Sequence, residues 1–156
     1  MTSTFPKSFN RHRLMTLAFS LVLASFLPFA VQAMELVSKT KAGVAIKGYD
    51  TTAYFQSGKA AKGEKSNIVQ WNGATWRFGT AEEAALFEAD PTAYTPQFGG
   101  YCARAMSLKR VVHSNPKVWR IHEGKLYLFA APRGGKAFDK NADEIIKKAQ
   151  AYWDTL

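Results

Sequence analysis

One stretch of the chain, QFGGYCARAM from residue 97 to 106, holds its single cysteine, Cys102. A lone thiol admits three chemistries. It can serve as a small buried hydrophobe beside glycines that let the backbone turn tightly. As a thiolate it is a soft ligand for copper(I) or zinc, favoured if Cys102 opens a helix and lies near Arg104. A metal then needs two or three further donors, and the candidates are His113, Asp50, Met106 and the tyrosines. Or the thiol is reactive, as a redox sensor or as a nucleophile; a nucleophile needs a base within hydrogen-bond reach, and only His113 or His122 could serve. The Gly99-Gly100 pair permits close backbone approach, and GYDTTAYF supplies aromatic walls. The expectation is a pocket floored by Gly99 and Gly100, walled by Tyr49, Tyr54 and Tyr101, with Asp50, His113 and Cys102 as donors for a copper or zinc ion or as contacts for a small ligand. The alternative is a redox-active or structural thiol without metal, with a disulfide to another chain through Cys102 as one outcome.

Other chemistries find no support in the residues. There is no phosphate-cradling glycine loop, no His-Glu-x-x-His, no Cys-x-x-Cys and no Ser-His-Asp spacing. The carboxylate pairs Glu82-Glu83 and Asp143-Glu144 fall in first turns of expected helices, where they serve capping and the helix dipole. The sequence therefore leans away from an enzyme. His122 falls on the polar face of a hairpin and reads as solvated; His113, in VVHSNP, reads as a loop residue.

The compartment bears on the thiol. Lys7, Arg11 and Arg13 precede an apolar run from Leu14 to Val31, and Val31-Gln32-Ala33 has the form of a signal-peptidase site. Residues 1–33 are expected to be a cleaved signal peptide that sends residues 34–156 to the periplasm, with no stable membrane insertion afterwards. An unshielded thiol in an oxidising compartment pairs with other molecules, so Cys102 is expected to be shielded, bound or used. Of 21 basic and 12 acidic side chains, three basic ones lie in the leader, leaving 18 against 12 and a net +6. The charges are scattered, with no run long enough for a nucleic-acid tail, so no nucleic acid is expected as partner.

The elements that must position these residues follow from pattern. NIVQWNGATWRF places Asn72-Gly73 between alternating runs, which predicts a hairpin pairing Trp71 with Ala74 and Val69 with Trp76. Thr80 and Glu83 form a capping box for a helix from Ala81 to Ala89, stopped by Asp90-Pro91. YCARAMS predicts a short helix after Gly100. VWRIHEGKLYLF predicts a second hairpin pairing Ile121 with Leu126 and Trp119 with Leu128. That register puts Arg120, His122, Lys125 and Tyr127 on a polar face. Asn141 and Glu144 can cap a last helix running through Trp153, with Phe138, Ile145, Ala149 and Tyr152 on its buried side. Residues 34–48 read as an edge strand or extended arm. The sum is a small single-domain α+β fold of two β-hairpins and two or three helices.

With these segments in place, the chain resembles the YHS-domain family, on the stretches GYDTTAYFQSGKA, WNGATWRF, FEADPTAYTPQFGGYCARA and GKLYL, in that order from Gly48 to Leu128. Within it, the Gly-Gly-Tyr-Cys-Ala motif is similar to an exported, single-cysteine branch. The resemblance implies a YHS-like fold and heavy-metal handling through cysteines. The places where metal-handling members carry further cysteines read Tyr49-Asp50 and Phe78-Gly79-Thr80 here, so the family's multi-cysteine cage does not carry over.

Overall fold

The computed structural model describes residues 1–2 and 36–156. The expected signal peptide, apart from Met1 and Thr2, lies outside the described residues. The chain divides into Met1–Gln32 and Ala33–Leu156, and the fold is that of the second unit. Among the described residues no helix is long and apolar enough to cross a membrane.

Two tight turns set the strands. Asn72 and Gly73 both have positive φ, 48° and 69°, the backbone that matches strand twist in a two-residue hairpin. They join β1 (Ile68–Trp71) to antiparallel β2 (Ala74–Arg77), with Trp71 opposite Ala74 and Val69 opposite Trp76. Glu123 and Gly124 turn the same way. They join β3 (Asn115–His122) to β4 (Lys125–Phe129), pairing Ile121 with Leu126 and Trp119 with Leu128. The two hairpins are separate two-stranded sheets. The arm before them is tied to the first: Val44 bridges Thr75, and Lys39 bridges Ala45.

Among the described residues six α-helices complete the α+β domain: α1 (Ala53–Gln56), α2 (Ala81–Ala89), α3 (Pro91–Tyr94), α4 (Ala103–Met106), α5 (Pro132–Lys140) and α6 (Ala142–Trp153). The capping box of α2 is formed at both ends: Thr80 N–H donates to Glu83 Oε2 (2.9 Å), and Glu83 N–H donates to Thr80 Oγ1 (3.1 Å). Asp90 ends α2 and caps α3, accepting from Ala93 N–H. The expected single last helix is two. Asn141 leaves helical geometry between α5 and α6 and makes no side-chain cap, and Phe138 belongs to α5. Pro132 at the first helical position starts α5.

β4 separates two cores. Leu126 and Leu128 pack with Tyr54, Trp76, Phe78 and Phe87. Tyr127 and Phe129 pack on the other side with Phe98, Met106, Phe138 and Ile145. The expected polar face of the second hairpin is therefore corrected at Tyr127, which is buried, and Ile121 on the opposite face is exposed. The reason is coverage. α5 lays Phe138 against Tyr127 and Phe129, with ring centroids 5.0 and 5.2 Å away, whereas Ile121 sits beside the turn.

Candidate ligand cleft beside Cys102

The segment before Cys102 is shaped by a close approach of the arm. Phe98, Gly99 and Gly100 all have positive φ. A Cβ on Gly99 would lie 1.8 Å from the Leu36 carbonyl oxygen, and one on Gly100 would lie 2.2 Å from Ile46 Cδ1. Only glycine fits at either place. The turn delivers Cys102 into a short extended link, where its N–H donates to Val112 O (2.9 Å) and its backbone bridges Leu128. Cys102 is the N-cap of α4: its Sγ accepts the Ala105 N–H at 3.4 Å. The residue is 4% exposed.

That residue forms part of the wall of a cleft of about 480 Å³ between α4 and the start of α5, within the range of about 300–1,000 Å³ typical of small-molecule sites. Leu108, Val112, Ala130 and Ala131 give it apolar walls, and Arg104, Arg110 and Arg133 bring cations to it. Among the described residues no aspartate or glutamate lines it. Arg104 donates from Nη1 to Ser107 Oγ (3.1 Å). The carboxyl of Glu144 is held below the usual range, chiefly by its hydrogen bond from Lys148, with a small contribution from Arg104. The guanidinium groups of Arg110 and Arg133 have no hydrogen-bond or ion-pair partner among the described residues.

The other expected site residues lie elsewhere. His113 follows the Val112 carbonyl that anchors Cys102, but its side chain faces the arm. Its Nδ1 is 2.9 Å from Ser38 Oγ, its ring packs against Tyr101 at 5.3 Å, and it lines a separate groove with Ser38 and Lys47. Asp50 is buried and fully occupied. Its Oδ1 accepts from Thr52 N–H (2.8 Å), Thr52 Oγ1–H (2.7 Å) and Ala53 N–H (3.3 Å), and its Oδ2 accepts from Gly79 N–H (2.7 Å). Tyr49 holds the Lys62 ammonium 4.4 Å from its ring centroid. Tyr54 donates to Pro116 O (2.8 Å), and burial, aided by Tyr49 and Asp50, pushes its phenol pKa far above the ordinary value. Tyr101 reaches Val37 O at 3.4 Å, and burial raises its pKa too. Met106 is buried in the second core. Gly99, Gly100 and Tyr101 precede Cys102 in the chain but do not line its cleft, Gly99 lining another groove with Trp71 and Phe98, and Tyr49, Asp50 and Tyr54 lie packed in and around the first core. Among the described residues no three of His, Cys, Asp and Glu gather as a metal site would require.

No protein-family model, curated protein or solved structure matches this chain.

The chemistry of the site rests on its own side chains. A nucleophilic thiol needs a neighbouring base, and among the described residues neither a histidine nor a carboxylate lines the cleft. His122, the second candidate, sits 3.3 Å from Asp143 Oδ1 and edge-on to Phe138. What the cleft offers is apolar contact and positive charge. Its three arginines were missed in the sequence because they come from different segments. The only trace was that MSLKR and APRGG carry arginines with no acidic residue in the same stretch.

Proposed function

We propose that this chain is an exported, YHS-like binding protein that takes a small organic ligand in the cleft beside Cys102. The observation that carries this reading is the cleft itself, a concave site with apolar walls and a few converging polar groups. The leader-like N-terminus supports export to the periplasm, and the four motif stretches support the YHS-like kinship. Of the two ligand classes open to Cys102, the small molecule is favoured over a copper or zinc ion. The thiol has the cleft beside it, while His113 and Asp50 are turned to other partners. Cys102 contributes a wall to this site. Its low exposure and its hydrogen bond from Ala105 also suit a shielded thiol more than one linked to a second chain.

The test is a thermal-shift screen of chemically diverse fragments on the mature protein beside Ala130→Trp. Ala130 is exposed and lines the cleft, so the larger side chain can occupy the space without disturbing the core. Hits that disappear in the variant support the reading; hits unaffected by it, or no hits, overturn it. Copper(I) and zinc(II) titrations in parallel identify the competing case: stoichiometric binding that Cys102→Ser abolishes would restore the metal ion as ligand.

A further inference from the structure

We infer that the ligand of this cleft is an amphipathic organic anion, held through its carboxylate, phosphate or sulfonate group by Arg110 and Arg133 with its apolar body against Leu108, Val112, Ala130 and Ala131. The inference rests on the cleft being the binding site and adds the class of molecule that enters it. Three features of charge carry it. Three guanidinium groups border one concavity, and among the described residues no carboxylate lines it to balance them. Arg104 is partly engaged by Ser107 and by the field of Glu144, but Arg110 and Arg133 have no partner among the described residues. Arg120, by contrast, grips Asp139 with Nε and Nη2 at 2.6 and 2.8 Å. A guanidinium fork matches an oxyanion bidentately, and like charges around one concavity are relieved by an anion. The walls exclude a purely inorganic anion as the best fit, because most of the side chains they present are apolar and would contact nothing.

The probe pair is 2-naphthoate and its neutral isostere 2-naphthamide, titrated into the mature protein. Affinity is read by calorimetry, and the site by backbone amide shifts at Val112, Ala130, Ala131 and Ala137. The expected result is shifts at these residues with the carboxylate at least tenfold tighter than the amide, about 1.4 kcal/mol. That preference should fall in Arg110→Gln and Arg133→Gln, both at exposed positions, and shrink as salt is raised. If both probes shift these residues with equal affinity, the cleft stands as the binding site and the anion inference is overturned. If neither probe shifts them, both are overturned.

Discussion

Replacing Asp50 separates an anchoring role for this carboxylate from the ligand role its sequence position suggested. Its four accepted hydrogen bonds join the loop that opens α1 to Gly79, at the entrance of α2. Asp50→Ala strands the Thr52 and Gly79 N–H groups, and each donor left without an acceptor in a buried setting costs about 1–3 kcal/mol. Removing the buried charge, and its proximity to Glu83, recovers part of that, so the expected loss is about 3 kcal/mol. Asp50→Asn keeps an oxygen at Oδ1 and loses only the acceptor facing Gly79, so it should cost about 1–2 kcal/mol. Urea unfolding of the mature protein measures both, with an unchanged m-value showing that stability alone has moved. Copper or zinc should leave the order wild type, Asn, Ala intact. A loss below about 1 kcal/mol for the alanine variant, or equal losses for the two, would refute the anchoring argument.

Trp76 is 1% exposed, stacked on Phe87 and bonded through Nε1 to Trp71 O. Trp76→Ala should cost about 3–5 kcal/mol in urea unfolding, and a loss under 1 kcal/mol would show that this face is not core. Glu83 and Asp50 flank Gly79, where an added Cβ would lie 2.7 Å from Glu83 Oε2 and 3.6 Å from Asp50 Oδ2. Burial, then the Asp50 charge, raises the Glu83 pKa. The folded state holds that proton more tightly than the unfolded one, so this contribution is full below the ordinary glutamate value and lost as pH rises through the raised one. Glu83→Gln should gain stability over wild type above that window and not below it, and parallel pH profiles of the unfolding midpoint would contradict this. N-terminal sequencing of the exported protein should begin at Met34; an intact Met1 or a membrane-embedded product would remove the export expectation.

The elements legible in the sequence are those fixed by neighbours. Asn72-Gly73, Glu123-Gly124 and the Thr80–Glu83 box each specify backbone geometry within a few residues, and the strand pairings and α2 follow from them. α5 was not legible: PRGGKAF carries two glycines, which lower helix propensity, and the helix exists because Phe138 packs on β4. Tyr127 looked polar because its strand alternates, yet both faces of β4 are covered. Asp50 looked like a donor for a metal because acidity is visible in sequence and the four N–H and O–H groups waiting for it are not. The cleft was hidden for the same reason: Arg104, Arg110 and Arg133 meet only when α4 and α5 pack together.

The position of β4 between two cores also governs when the protein can fold. Leu126 and Leu128 close one cluster, Tyr127 and Phe129 the other. The arm is stitched to partners far along the chain, Ser38 N–H to Gly99 O and Ser38 Oγ to His113. Domains generally fold as units during synthesis, and here neither cluster is complete until residue 129 has emerged. A nascent chain of this design has its closing strand late and stays open for most of its emergence. The same strand that divides the finished cores thus acts as the timer for their assembly.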